Sequence, residues 1–164
     1  MPIASTDIKY RLSGGAANAD PTLSLGGAKS STEAASNLLD AVSSAEALAG
    51  DIEYRCYYIH NAHATLTLEN AVAWLSANTP SADTTLDIGV GTSAVNGTEQ
   101  TVANENTAPV GVTFSAAATE GAAVALGNIP PGQHRSVWIR RTVNASTAAT
   151  NDTATLVAKG DTQA

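Results

Sequence analysis

The sequence has little cysteine and few cations, and each shortage excludes a class of protein. Its single cysteine, Cys56, excludes a disulfide scaffold within the chain and a cysteine-rich zinc site. No apolar run approaches the roughly 20 residues that cross a bilayer, so no transmembrane helix is expected. Eight basic residues stand against fifteen acidic ones, which gives a net charge of −7. Nucleic acids and anionic membranes select basic surfaces, so neither is an expected partner.

Aromatic residues are also scarce, with one Phe, two Trp and four Tyr in 164 residues. The apolar share of 43% is enough for one domain with a core, but alanine is its largest part, and alanine buries little area per residue. Such a thin core favours added stability from a partner or from a homo-oligomer. Residues 1–15 show no apolar segment behind a basic start, so no secretory signal is expected and synthesis in the cytoplasm is predicted.

Short alternating segments dominate the chain from residue 50 onward. In the segment 51–60, Ile52, Tyr54, Cys56 and Tyr58 alternate with the intervening residues, which is the two-residue period of a strand. Seven further short segments are predicted as strands: 64–68, 71–75, 84–90, 100–102, 110–114, 123–126 and 136–143, with an eighth at 153–158. Turn signals separate them at 78–80, 96–97, 130–132 and 151–152. This spacing predicts an all-β antiparallel sandwich over residues 45–164.

The first 44 residues are predicted to form an N-terminal arm. Only one strand is evident there, because Ile8, Tyr10 and Leu12 alternate with charged residues. A weak helical turn or two is expected within residues 33–42. The strand of Ile8, Tyr10 and Leu12 is a candidate for addition to a neighbouring chain, and a frayed terminus is the alternative.

No residue pattern indicates catalysis, a cofactor or a metal. His60 and His63 lack the further ligands that a metal site needs and are interpreted as surface loop residues. Cys56 lies among apolar strand residues and is interpreted as part of the core. The segment 26–31 resembles a phosphate-binding loop, but Ala28 separates the glycines from Lys29, so that interpretation is rejected.

One strand concentrates charge and an aromatic ring. By strand parity, Arg135, Val137, Ile139 and Arg141 share one face, while Ser136, Trp138 and Arg140 share the other. One of these faces is expected to point away from the core. Arg135, Trp138 and Arg140 therefore predict either an exposed strand with local ion pairs or an anchoring patch for a partner, because Trp and Arg are enriched at interface hot spots.

Two stretches carry a resemblance to immunoglobulin-like modules. In the first, Gly50 and Asp51 open a long strand that ends at Asn61, and the segments 66–68 and 72–75 follow. In the second, the turn within residues 126–132 has an apolar residue, Ile129, followed after two residues by Gly132. This turn leads into the strand that ends at Val143. This layout implies an immunoglobulin-like antiparallel β-sandwich. It implies nothing about activity, because sandwiches carry many unrelated functions.

Four stretches of the sequence also resemble virion structural proteins of tailed bacteriophages. The stretches that carry this resemblance are 10–21, 25–30, 78–84 and 108–114. A small acidic all-β protein with an arm is most similar, within that class, to a capsid decoration (cement) protein. The resemblance implies a non-enzymatic protein on the capsid surface of the virion that bridges neighbouring capsid subunits. Its implied partners are the major capsid protein and other copies of itself.

Two other functions remain open from the sequence. A phage tail or fibre module that binds a host-surface glycan would share the fold, and it would present aromatic platforms. Trp74, Trp138, Tyr57 and Tyr58 are the residues that could form them. An enzyme would need converging acid and base groups, and the spacing of the serines, aspartates and histidines favours no such set.

Overall fold

The computed structural model describes residues 1–36, 38–77, 84–145 and 154–162. Within these residues the chain forms nine strands and one short α-helix, α1 (Ser44–Ala49). Single 3₁₀ turns lie at Ser5–Asp7, Pro21–Leu23 and Glu120–Ala122. The strands are β1 (Ile8–Leu12), β2 (Gly26–Gly27), β3 (Asp51–Asn61), β4 (Leu68–Ser76), β5 (Thr84–Val90), β6 (Glu99–Thr101), β7 (Val124–Ile129), β8 (His134–Val143) and β9 (Thr155–Thr162).

All strand pairs are antiparallel, and they form three sheets. The largest has the order β1-β3-β8-β5, a second has the order β7-β4-β9, and β2 pairs with β6. The all-β sandwich predicted from the sequence is confirmed. The immunoglobulin-like connectivity stays a prediction.

The main core lies between the four-stranded and three-stranded sheets. Each sheet contributes alternate residues of its strands, as a period of two requires. Fully buried members include Tyr57 and Ile59 of β3, Leu75 of β4, Ile88 of β5 and Val137 of β8. These side chains hold the two sheets together, because each removes a large apolar surface from water.

A second apolar cluster covers the opposite face of the four-stranded sheet. Cys56 and Trp138 are directly opposed on β3 and β8, and both are 0% exposed. Leu25, Val102, Val112 and Phe114 pack with them from the surrounding segments. The expectation that one face of β8 points away from the core is therefore wrong: the pattern of alternation is right, but both faces are covered by the same chain.

The first 44 residues also lie against this sandwich instead of extending from it. β1 pairs with β3 over its whole length, from Ile8 opposite Asn61 to Leu12 opposite Tyr57. On its other edge, the backbone of Leu12 exchanges hydrogen bonds with Thr32 and Ser30. Both edges of β1 are therefore engaged within the chain, so the strand is not free to add to a neighbouring sheet.

Several predicted elements differ from the structure in position. The segment 110–114 forms no strand, and 64–68 contributes only its last residue, Leu68, to β4. The expected helical turns at 33–42 are absent from the described residues of that range, and the helix begins later, at Ser44. Its N-cap is Ser43, whose hydroxyl accepts from the Glu46 amide while Glu46 accepts from the Ser43 amide. The turns predicted at 78–80 and 151–152 lie outside the described residues.

Candidate interaction surface

The structure does not bring the predicted partner-binding residues together on a surface. Leu12 is 1% exposed in the main core, and Ile8 and Tyr10 pack partly buried against it. The Tyr10 hydroxyl accepts a hydrogen bond from the Ala158 amide of β9 at 2.8 Å, which joins the two sheets. The prediction that Leu12 contacts a partner is therefore corrected, because the alternation of Ile8, Tyr10 and Leu12 marks the face of β1 that packs on the core of its own chain. For the partly buried Ile8 and Tyr10, contact with a partner stays a prediction.

The three predicted residues of β8 are also engaged within the chain. Trp138 is completely buried in the second cluster and cannot anchor a partner. Arg140 is bound to Asp87, with Nε at 3.0 Å and Nη2 at 2.6 Å from Oδ2, and lies 4.9 Å from the centre of the Phe114 ring. Arg135 lies on the opposite face of the sheet and donates to the Ser93 carbonyl. Arg140 fits the interpretation of local ion pairs, whereas Arg135 bonds to backbone carbonyls, and the three residues do not form an anchoring patch.

A different group of basic residues lies on the side of the four-stranded sheet that points away from the main core. We call Lys9, Arg11, Lys29, His60 and His134 the basic face. Lys9 is directly opposite His60, and His60 is directly opposite His134, so their side chains share one side of the sheet. Lys29, from the turn after β2, is close enough for its charge to lower the pKa of both histidines.

Among the described residues, Glu33 is the acid that forms ion pairs with the basic face. Glu33 lies 3.2 Å from the Lys9 ammonium and 3.7 Å from the Arg11 guanidinium. Lys29 makes no ion pair with the described residues, and burial together with the Arg11 charge lowers its pKa. A surplus of positive charge therefore remains here in a chain whose net charge is −7.

The geometry of the two histidines fixes their tautomer. His60 Nε2 lies 3.2 Å from the Gly132 carbonyl, and His134 Nε2 lies 3.2 Å from the Gly97 carbonyl. A carbonyl only accepts, so Nε2 carries the proton in both neutral rings. Each Nδ1 is buried without a hydrogen-bond partner among the described residues. Burial and the Lys29 charge lower the pKa of both histidines, because a second proton would be placed on an unpartnered buried nitrogen.

A buried carboxylate supports the sheet beneath the basic face. Glu99 is 2% exposed and accepts from Ser136 Oγ at 2.6 Å, the Ser93 amide at 2.9 Å and Thr92 Oγ1 at 3.0 Å. Burial alone would raise the pKa of Glu99, but these hydrogen bonds outweigh it and lower the pKa to about 2. The Glu99 amide donates to the Tyr58 hydroxyl at 2.9 Å, and the Tyr58 ring packs edge-on against His134. This network holds His134 in place from below.

The other residues that the sequence offered for chemistry have structural roles. Cys56 is fully buried, and burial raises the pKa of its thiol well above the ordinary value, so the reactive thiolate is disfavoured. His63 Nδ1 accepts from the amides of Thr65 and Leu66, which closes the loop after β3. Among the described helices, none has the length and apolar character needed to cross a membrane.

Acidification is expected to destabilise the protein through His60 and His134. Their pKa values lie below the ordinary 6.5 in the folded chain, so the unfolded chain binds protons more readily once the pH falls below 6.5. Stability should therefore fall as the pH is lowered from about 7.5 to about 5.5. Thermal unfolding of the wild type and of a His60→Gln/His134→Gln variant measures this. The variant should lose less stability over the same interval, and equal losses would contradict the assignment.

Part of the basic face could have been found from the sequence. Lys9 and Arg11 alternate with buried apolar residues, so their shared side chain direction follows from strand parity. Lys29, His60 and His134 give no such signal, because the pairing of distant strands brings them there. No protein-family model, curated protein or solved structure significantly matches this chain.

Proposed function

We propose that this chain is a non-enzymatic structural protein of a phage virion that binds the outer surface of the assembled capsid and bridges neighbouring capsid subunits. The resemblance to tailed-phage virion proteins and the small acidic sandwich support this function. The observation that carries it is the basic face, a local surplus of positive charge on a chain of net charge −7. Such a surface suits an acidic patch on the major capsid protein, because complementary potentials set orientation and exclude wrong partners.

The proposed mechanism is mechanical. Binding only to the assembled lattice stabilises that lattice by mass action, without any covalent change. The net negative charge keeps free copies soluble, and the basic face orients each copy on the shell. Since β1 is held within its own sheet, the bridge between subunits is made by a homo-oligomer of rigid sandwiches, and not by a tether formed from residues 1–44.

The alternative, a tail or fibre module that binds a glycan, gains less support from the structure. Sugar sites present exposed aromatic rings, but Trp138, Tyr57 and Tyr58 are each 0% exposed. Trp74 is half-buried and is the one member of that set with a substantial accessible surface. No observation on the described residues favours a glycan platform over the basic face.

Charge reversal on the basic face is expected to weaken capsid binding. A Lys9→Glu/Lys29→Glu variant should bind purified capsids that lack the protein at least about tenfold more weakly. The two substitutions replace cations with anions, which would repel the proposed acidic patch on the capsid. The matched control is Lys159→Glu, an exposed residue of β9 paired with Glu120. Co-sedimentation with capsids at two salt concentrations measures both affinities.

The outcomes separate the candidates. Unchanged capsid binding by the double variant would overturn the role of the basic face. Density for the protein on the tail alone, or glycan binding lost on Trp74→Ala, would overturn the capsid function in favour of the tail module. Wild-type binding that weakens as salt rises supports the proposal.

A further inference from the structure

A cavity of about 810 Å³ lies between the two large sheets, at the end where β5 and β9 begin and β8 ends. Its walls are mainly aliphatic: Leu38, Leu39, Leu75, Leu86, Ile139 and Leu156. Ligand sites in proteins have volumes of about 300–1,000 Å³ and combine apolar walls with a few placed polar groups. The size and the walls of this cavity both fit that description.

Two buried guanidinium groups supply the polar end of the cavity. The side chains of Arg55 and Arg141 are 1% and 7% exposed, and both residues line the cavity. Arg141 is bound to the buried carboxylate of Glu53, and Arg55 Nη2 lies 2.5 Å from Glu105 Oε2. Each cation therefore has one close carboxylate of its own.

Asp40 is a fifth charge and the surplus acid in this cluster. Its Oδ1 lies 3.4 Å from Arg55 Nη2 and 3.6 Å from Arg141 Nη2, and its side chain is 45% exposed. These separations are longer than those of charge-assisted hydrogen bonds, which are near 2.7–2.9 Å. Burial raises the pKa of Glu53, and the Asp40 charge adds to that rise. Asp40 is thus the weakest-held anion on the two guanidinium groups.

The segment 38–42, which we call the strap, carries Asp40 across the cavity. The Tyr57 hydroxyl donates to the Leu38 carbonyl, and Arg141 Nη1 donates to the Asp40 carbonyl at 2.6 Å. These bonds involve the backbone of the strap, so they persist without the Asp40 carboxylate. A competing carboxylate can then take the place of that side chain while the strap stays bound.

The cluster is not suited to a metal ion. Carboxylate oxygens of Asp40, Glu53 and Glu105 lie within 4.8 Å of one another, a spacing that could hold a cation. The guanidinium groups of Arg55 and Arg141 already neutralise two of these three charges. A divalent cation would be repelled by both, whereas an anion is attracted.

We propose that this cavity binds an unbranched, medium-chain aliphatic carboxylate. The alkyl chain lies among the leucines between the sheets, and the carboxylate replaces that of Asp40 beside Arg55 and Arg141. Arg55 Nε is buried without a hydrogen-bond partner among the described residues and is the donor that Asp40 leaves unused. This site is independent of the basic face and of capsid binding.

Decanoate, used below its micelle concentration, is the probe. Isothermal titration should show one site per chain, and affinity should fall about fourfold per methylene removed, as octanoate tests. Decanol and decylamine also have ten carbons but lack the carboxylate, so they should bind more weakly. In a ¹H–¹⁵N spectrum, decanoate should shift the Nε–H signals of Arg55 and Arg141.

Asp40→Ala is the decisive variant, because it removes the competing anion. This variant should bind decanoate about tenfold more tightly than the wild type. The ligand carboxylate can then pair with Arg55 and Arg141 without first displacing the carboxylate of Asp40. Asp161→Ala is the matched control: it removes one exposed acid from β9, and its affinity should equal that of the wild type. Thermal unfolding without ligand verifies that both variants are folded.

Three results would overturn the proposal. No binding of decanoate to the wild type or to Asp40→Ala would remove the site. Equal affinity for decanol and decanoate would show that the guanidinium groups do not bind the ligand carboxylate. Equal gains in the Asp40→Ala and Asp161→Ala variants would attribute the effect to net charge instead of to displacement at Arg55 and Arg141.

Discussion

A chain that lacks residues 1–44 is expected not to fold. These residues supply β1, an edge strand of the central sheet, and they cover both faces of that sheet. Leu12 belongs to the main core, and Leu25 packs on the second cluster beside Trp138. Their removal would expose apolar surface that the remaining sandwich cannot cover.

The lost polar contacts make the deletion more severe. The Ser24 carbonyl accepts from the Cys56 amide at 2.8 Å, and the Ser13 hydroxyl donates to the Cys56 carbonyl at 2.8 Å. The Leu38 carbonyl accepts from Tyr57, and Asp40 contacts two buried arginines. Buried groups left without partners cost about 1–3 kcal/mol each. Urea unfolding followed by circular dichroism should show no cooperative transition for the truncated chain.

A single substitution tests the same point without removing the segment. Leu12→Ala should lower the free energy of unfolding by about 3–5 kcal/mol, because it leaves a cavity in the core. Leu23→Ala is the matched control, since Leu23 is 57% exposed and lies in the same part of the chain. A truncated chain that unfolds cooperatively, or equal effects of the two substitutions, would show that the first 44 residues are an appendage.

Trp138→Ala is expected to lower the free energy of unfolding by about 3–5 kcal/mol. The ring fills the centre of the second cluster, opposite Cys56, and is completely buried. The loss should appear as a lower urea midpoint together with a reduced near-ultraviolet circular dichroism signal. A loss of binding in this variant would therefore report a folding defect and not a contact with a partner.

Two further substitutions make the test specific to the buried ring. Trp138 Nε1 has no hydrogen-bond partner among the described residues, so Trp138→Phe gives up no hydrogen bond and should cost less than Trp138→Ala. Trp74→Ala removes a half-buried ring and should also cost less. If Trp138→Ala were no more destabilising than Trp74→Ala, the burial of Trp138 would be contradicted.

Strand periodicity predicted the central sheet well, because each of its strands alternates residues within a short segment. β1 and β5 lie at the predicted positions, and the faces of β8 follow the predicted parity. Which face is buried could not be predicted for β8. A strand covered on both sides shows the same alternation as one covered on a single side, and the covering residues are remote in sequence.

Residues 13–44 show where local patterns carry too little information. This segment is rich in alanine, serine, asparagine and glycine, which is typical of a loop or an arm. Its position is determined by contacts across long sequence separations, such as that between Ser13 and Cys56. One local signal was present but was not used in the prediction: Ser43 and Glu46 are spaced as a capping box, and the helix begins there and not within 33–42.

The bond from the Ala158 amide to the Tyr10 hydroxyl joins positions 148 apart in the chain. A ribosome must therefore synthesise almost the whole described polypeptide before the opening strand can be locked in place. Until then, the nascent sheet exposes pairing edges and apolar side chains, a state open to aggregation and chaperone capture. Completion of the sandwich thus waits for the synthesis of β9, and its yield in the cell depends on how quickly β9 reaches β1.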